Sequence, residues 1–325
     1  MNNDYSNTQG GSVNDNQWKE DLDGIWSITL TPKLSNIYNV LAYGEWLSDP
    51  NKIEALSVKK IHVDTGGKKR LIYSPNMDSK GFYQAILPKL NETFEKMEER
   101  AVAYGFVPKR SCVDQALQHV NYAYTISLDI KDFFDHVKIK HVKGLIDEEL
   151  IPYLFIDGAA RQGLPTSPMV SNIAFNAIDL EIITFLEERM GFTTSKPKAE
   201  RDMFFWDLDL DLDFDQEQKR YYAYTRYADD LSVSLDQYED IARVINGVQR
   251  ILLRHGFELN ARKTKILDSK NGRRVICGVG VDEKTVYPTR KTLKKLRAAK
   301  HQKNLSSVFG HRAWIYSIDK KKPVR

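Results

Sequence analysis

Hydrophobic positions along the chain recur with two periods, and stretches of each kind alternate. Ile86, Leu87, Leu90, Phe94 and Met97 fall on one face of a helix. The same spacing returns at Ile173, Ala177, Leu180 and Ile183, between a Gly- and Pro-rich loop and Gly191. It returns again at Ile241, Val244, Ile245, Val248 and Leu252, where Gly256 marks the end. Between these helices lie short runs with strand character. Residues 59–63 and 70–73 predict a hairpin closed by Asp64-Thr65-Gly66-Gly67. Residues 123–130 predict a strand, and 275–281 with their continuation to Tyr287 predict a second hairpin. A basic helix follows from Thr289 to about His301. The order is mixed α+β, without internal repeats.

One strand pair carries an unusual charge. In Tyr224-Thr225-Arg226-Tyr227-Ala228-Asp229-Asp230-Leu231-Ser232-Val233-Ser234, two adjacent carboxylates interrupt two strand-like runs and mark a tight hairpin turn. Like charges side by side between apolar flanks are costly unless a cation neutralises them. A divalent metal is the natural partner and metal-assisted phosphoryl transfer the natural chemistry. Asp129 offers a third carboxylate at the end of an apolar strand. Beside the Asp-Asp turn it would complete a two-metal site with ions about 4 Å apart. Taken alone, Asp129 also reads as a cap on the following helical turn, a reading that recedes beside the Asp-Asp pair.

Charge is unevenly distributed. From Pro288 onward twelve Lys and Arg residues face only Asp319, so that stretch carries +11 and the remainder about −7 of the net +4. Such a basic end predicts a nucleic-acid-facing surface or, more plainly, a solvated helix face. Trp206 through Asp215 alternates acidic and apolar residues at period two. Asp207, Asp209 and Asp211 resemble the start of a calcium loop, but the glycine required at its sixth position is absent. A strand pairing with residues 220–227 is the favoured reading. Residues 1–17, rich in Asn, Ser, Gly and Gln, predict a mobile arm. Cys112 and Cys277 form no CxxC pair and fit a reducing cytosol. No apolar stretch approaches the length of a membrane span, and no signal peptide is evident.

Five motifs in order resemble those of reverse transcriptases over most of the chain. They are Lys69-Arg70-Leu71-Ile72-Tyr73-Ser74-Pro75, Asp129 to Phe134, Gln162-Gly163-Leu164-Pro165-Thr166-Ser167-Pro168 with Ser171-Asn172, Tyr227-Ala228-Asp229-Asp230, and Gly256-Phe257-Glu258-Leu259-Asn260 through Lys263-Thr264. The resemblance implies a right-hand polymerase fold with fingers, a palm made of an antiparallel sheet backed by helices, and a short thumb. Fingers and palm would interleave over residues 18–274, with an acidic strand insert at about 192–219. A primer-grip hairpin and basic thumb would occupy 275–325.

The resemblance also implies roles. Asp129, Asp229 and Asp230, with the backbone of Ile130, would hold two Mg²⁺ ions, for which Mn²⁺ could substitute. Lys263 would protonate the leaving pyrophosphate. Lys68 and Arg70 would grip the incoming deoxynucleoside triphosphate, Gln162 and Gly163 would shape its pocket, and Phe134 would exclude a ribose 2′-hydroxyl. Nucleic acid would meet Tyr227, His119, Gly278, Arg290, Lys291, Lys294, Lys295 and Arg297, although His119 reads as readily as a satisfied structural side chain. Within the family the chain looks most like bacterial retron enzymes. These make a branched RNA–DNA hybrid (msDNA) from their own structured noncoding RNA and act in antiphage defence with a neighbouring effector protein. Such an enzyme would be cytoplasmic. Gln115-Ala116-Leu117-Gln118-His119 and Ile276-Cys277-Gly278 stand where retron enzymes carry Asn-Ala-x-x-His and Val-Thr-Gly. These departures keep open a non-retron defence reverse transcriptase. A catalytically idle RNA-binding scaffold is a third reading.

Overall fold

A computed structural model describes residues 46–54, 56–64, 67, 69–194 and 219–322, the side chain of Ile53 excepted. The expected N-terminal arm, the start of the fingers, Lys68 and the acidic repeat at 206–215 lie outside the described residues.

Strands β1 (Val58–Asp64) and β2 (Lys69–Pro75) form the first expected hairpin, with Ile61 opposite Ile72 and Val63 opposite Arg70. Helix α1 (Met77–Met97) starts at Asn76, whose side chain accepts from the backbone N–H of Ser79. It buries Ile86, Leu90 and Phe94 of the expected stripe, with Leu87 and Met97 partly buried, and adds Phe82. Helix α2 (Cys112–Leu117) opens with a reciprocal cap between Ser111 and Asp114. Strand β3 (Tyr124–Asp129) follows. The long helix α3 (Ser167–Thr184) continues as one π-helical turn, Phe185–Arg189. Then come β4 (Phe192–Thr193), β5 (Arg220–Tyr227), β6 (Asp230–Leu235), α4 (Ile241–Arg254) and β7 (Lys265–Asp268). Strands β8 (Arg274–Ile276), β9 (Val279–Val281) and β10 (Val286–Pro288) precede α5 (Arg290–His301) and α6 (Leu305–Lys320).

The central sheet has the order β4-β5-β6-β3-β7. Its four longer strands are antiparallel, as expected, but β4 lies parallel to β5. The sheet is therefore mixed. The C-terminal hairpin expected over 275–287 is likewise a three-stranded antiparallel sheet, β8-β9-β10. A two-residue turn at Cys277-Gly278, with φ of +44° and +82°, joins its first two strands.

Side chains alternate across a strand, so the register assigns the two faces of the central sheet. Ile126, Leu128, Leu231, Val233, Tyr222 and Tyr224 point into the main hydrophobic core, which they share with α1, α3 and α4. This is why α3 is apolar nearly all round. Against the expectation that no apolar stretch approaches the length of a membrane span, α3 with its π-helical turn meets that length and composition, but 72% of its apolar window is buried inside the protein. It is a core helix. The opposite face carries Thr125, Ser127, Ser232, Ser234 and Thr225, cross-strand neighbours by register, and ends at Asp129, Asp230 and Tyr227.

One charged group enters the main core. Arg226 is fully buried (0% exposed) and donates through Nε and Nη2 to both carboxylate oxygens of Asp179, at 2.8–3.1 Å. Nη1 donates to Asn172 Oδ1 at 2.9 Å, and the Tyr224 hydroxyl donates to Asp179 at 2.6 Å. Asp179 and Asn172 are residues of α3, so this pair ties that helix to the strand entering the Asp-Asp turn. Removing one partner of such a buried pair costs about 3–5 kcal/mol, because the other charge is left uncompensated.

Candidate active site

The three carboxylates reach one place through backbone register. Asp129 ends β3 and Asp230 begins β6, and the two residues are direct antiparallel partners. Asp229 sits in the two-residue turn between β5 and β6, beside Ala228, which adopts φ +54°. That conformation is strained for a residue with a Cβ, and the surroundings enforce it. The segment 102–105 runs along the turn: Arg226 N donates to Val102 O and Tyr104 N to Arg226 O, both at 2.8 Å. Asn172 Nδ2 donates to Gly105 O at 2.9 Å. A Cβ on Gly105 would stand 2.7 Å from the Ala228 nitrogen, so only glycine permits this approach.

Asp129 is held as firmly. Asn260 N donates to its carbonyl at 2.7 Å, Ile130 N donates to Asp229 O at 2.9 Å, and Lys131 N donates to Glu258 O at 2.9 Å. Ile130 and Leu259 thus face each other as a non-hydrogen-bonded antiparallel pair. The helix-cap reading of Asp129 does not hold. The short helix Phe133–His136 is preceded by Asp132, which makes no side-chain cap. The Asp129 carboxylate instead accepts from Lys263 Nζ at 2.6 Å.

The electrostatics show crowding. Burial raises the Asp230 carboxyl to about 6, with the charges of Asp229 and Asp129 adding to the shift. Burial and Asp129 also raise Asp229, against the pull of Lys263 and Arg70. Lys263 is raised by its hydrogen bond to Asp129, with the charges of Asp129, Asp229 and Asp230 adding to the shift. Hard carboxylate oxygens in this number suit a divalent cation such as Mg²⁺. Among the described residues, however, no three ligating side chains converge closely enough to grip an ion as they stand. The donor chemistry fits, with Lys263 occupying one of the oxygens a metal would use.

Other expected residues surround the trio. Arg70 is exposed on β2. Gln162 accepts from Tyr73 N at 2.8 Å through its backbone carbonyl. Gly163 follows at φ +108°, where a Cβ would lie 2.4 Å from Tyr73 O. The loop is thereby pressed onto the β1–β2 hairpin. Phe134 is half-buried, its ring 5.6 Å from Phe133, which packs edge-on against Phe175. Tyr227 lies half-buried beside Phe106 at 6.2 Å. The Cys277-Gly278 turn lies close enough that Asp230 and Asp229 add to the burial that pushes the Cys277 thiol up to about 12. Both cysteines are free. Arg290, Lys291, Lys294, Lys295 and Arg297 are all exposed on α5.

One expectation is corrected. His119 is 0% exposed and cannot touch RNA from there. Its Nδ1 is 2.8 Å from Ser234 Oγ and its Nε2 is 2.7 Å from Thr225 Oγ1, and burial lowers it to about 3, a neutral imidazole. The structural reading of this histidine is the right one. A group that sequence reasoning missed lies behind the Gln162 loop. Lys60 and the Tyr73 hydroxyl both donate to Asp157 Oδ2, at 2.7 and 3.0 Å. Arg161 stacks over the Tyr73 ring at 5.3 Å and donates to Asp135 at 2.6 Å, next to Phe134. The available signal was the Asp157-Gly158 turn, where both residues take positive φ.

The sequence profile of the reverse transcriptase (RNA-dependent DNA polymerase) family matches residues 58–292, which contain Asp129, Asp229, Asp230 and Lys263. The chain belongs to the reverse transcriptase family. It is similar to the retron Mx65 reverse transcriptase of Myxococcus xanthus, 31% identical over 277 residues that cover 77% of this chain and 56% of that protein. It is also similar to the retron Ec86 reverse transcriptase of Escherichia coli, 23% identical over 267 residues covering 78% and 72%. The chain spans 56% of the length of both Myxococcus relatives. Among solved structures, telomerase from Candida albicans matches 78% of this chain and 50% of its own at 11% identity, with a TM-score of 0.48, too slight a likeness to argue from.

The carboxylate crowding of this chain is measurable without substrate. A carboxyl raised to about 6 binds more protons in the folded state than in the unfolded one from about pH 4 to 6, so stability falls as pH rises through that window. In metal-free buffer, wild-type Tm should drop from pH 5 to pH 7 by more than that of Asp230→Asn. Parallel Tm profiles would count against the crowding.

Proposed function

We propose that the protein is an RNA-directed DNA polymerase, working as a retron reverse transcriptase in the bacterial cytoplasm. The observation that carries this is the pairing of Asp129 with Asp230 beside Asp229, inside a chain of this family. In this reading β1, β2 and α1 are fingers, the central sheet with α3 and α4 is the palm, and β8 to α6 form a short thumb. Asp129, Asp229, Asp230 and the Ile130 carbonyl would hold two Mg²⁺ ions, with Mn²⁺ as a substitute. Bound there, the metals supply activation of the attacking hydroxyl and charge neutralisation at the pyrophosphate.

The protein's own groups supply position. Arg70, with Lys68, holds the triphosphate of the incoming deoxynucleotide. The Gln162-Gly163 loop, pressed onto β2, shapes the pocket, and Phe134 blocks a 2′-hydroxyl. Lys263 keeps Asp129 neutralised before substrate arrives, then offers its proton to the leaving group. Tyr227 and the Gly278 turn border the nucleic-acid strand, and the exposed basic residues of α5 grip phosphates with a steep salt dependence. The template and primer would be a structured noncoding RNA, extended from a 2′-hydroxyl into a branched RNA–DNA product, with a separately encoded effector as protein partner. The similarity to retron enzymes from two bacteria supports this choice. Gln115, which stands at the Asn of the retron motif, keeps the alternative of a non-retron defence enzyme open. A 2′–5′ branch in the co-purifying nucleic acid separates the two, and its absence favours the alternative.

Two variants test the chemistry. Asp229→Asn with Asp230→Asn should reduce deoxynucleotide incorporation on a primed RNA by more than about a hundredfold. Wild type that incorporates nothing on any primed RNA would instead support the scaffold. Phe134→Ala should raise the use of ribonucleotides relative to deoxynucleotides by about tenfold or more, and unchanged sugar selectivity would remove Phe134 as the gate.

A further inference from the structure

The protein has a second hydrophobic core. Val113 and Ala116 of α2, Ile276, Val279, Val281 and Val286 of the three-stranded sheet, and Ile318 of α6 form a cluster separate from the main one. Between the two cores runs a polar seam. Gln115, His119, Thr125, Thr225, Ser234 and Arg274 lie along it, each nearly or fully buried. They are linked in a chain. Arg274 Nη1 donates to Thr125 Oγ1 at 2.9 Å, and Thr125 Oγ1 is 2.6 Å from Ser234 Oγ. Ser234 meets His119, His119 meets Thr225, and Gln115 Nε2 donates to Thr225 at 3.1 Å.

Arg274 is the anomaly in this chain. It is 1% exposed, its Nη2 donates to the backbone carbonyl of His119 at 2.8 Å, and its Nε has no hydrogen-bond partner. Its two acceptors are neutral oxygens, while Asp236, Asp282 and Glu283 favour its charge electrostatically against the burial that lowers it. A buried guanidinium so placed is a poor source of stability, since apolar residues of the same volume commonly hold a seam as well or better. It supplies direction. Apolar contact is non-directional and tolerates sliding, whereas hydrogen bonds at fixed angles specify one alignment.

The strands it joins both lead to the active site. From Thr125, β3 runs four residues to Asp129; from Arg274, β8 runs three residues to Cys277, over about 13 Å and 10 Å respectively. Cys277 lies within electrostatic reach of Asp230 and Asp229, so both paths end in the neighbourhood of the carboxylates.

We propose that Arg274 is a positioning residue that pins β8 to β3 and so sets the distance between the Cys277-Gly278 turn and Asp129 and Asp230, where the end of the growing strand sits. The proposal rests on the polymerase reading. Loss of the pin leaves deoxynucleotide binding intact and misplaces the attacking hydroxyl.

The test uses the full chain on one primed RNA template, with active sites counted by burst amplitude. Arg274→Met keeps length and removes the donors. Arg274→Lys retains a donor, and Thr125→Val removes the acceptor without changing shape. For Arg274→Met the single-turnover rate per active site, at saturating primer and deoxynucleotide, should fall about ten- to a hundredfold. Half-saturation by deoxynucleotide should stay within about twofold of wild type, and Arg274→Lys should recover part of the rate. A normal rate per active site in Arg274→Met, even with fewer active molecules or a lower Tm, overturns the proposal and leaves Arg274 a stabilising residue. If Arg274→Met does not fold, the same readout on Thr125→Val and Arg274→Lys decides, and normal rates in both overturn it. Wild type without incorporation defeats the polymerase reading, and the proposal with it, which is a distinguishable failure.

Discussion

The antiparallel register of β3 against β6 sets Asp129 opposite Asp230, with Asp229 one residue away in a two-residue turn. A slip of one residue would turn the Asp129 side chain to the core face and bury it among Leu128 and Ile126. Much of the surrounding structure makes that slip expensive. Ile126, Leu128, Leu231 and Val233 must face the helices, and Thr125, Ser127, Ser232 and Ser234 must not. The carboxylates are thus placed by the hydrophobic pattern beneath them, and their mutual repulsion is overridden by it.

Around this register the protein uses three kinds of fastening. The Arg226–Asp179 pair joins the Asp-Asp hairpin to α3 through two charges that satisfy each other. The close approach of Gly105 fixes the backbone of the turn by shape alone. The polar seam joins the central sheet to the C-terminal sheet through neutral hydroxyls, an imidazole and one guanidinium. Each acts at a different distance from the carboxylates, and all three bear on the same few atoms.

Much of the site was legible in the sequence because its signals are local. The Asp-Asp turn, the strand ending in Asp129 and the stripe on α1 each fit within a window of a few turns or one strand. The parts that were not legible depend on partners far apart in the chain. Tyr73 meets Asp157 across 84 residues and Arg274 meets Thr125 across 149, and no periodicity announces either. His119 shows why: a histidine in a motif looks the same whether it faces RNA or hydroxyls on a neighbouring sheet, and only burial distinguishes them. The parallel strand β4 escaped for the same reason, since two residues carry no period.

The central claim is that three carboxylates crowded by this register form a site for divalent cations. Titration of purified, metal-free protein with Mg²⁺, followed by Tm without nucleotide or nucleic acid, tests it most directly. Wild type should gain stability in proportion to RT ln(1 + [Mg²⁺]/Kd), and Asp229→Asn with Asp230→Asn should lose that gain while starting from a higher metal-free Tm at neutral pH. Equal Mg²⁺ responses in the two proteins, or none in wild type, would contradict the account.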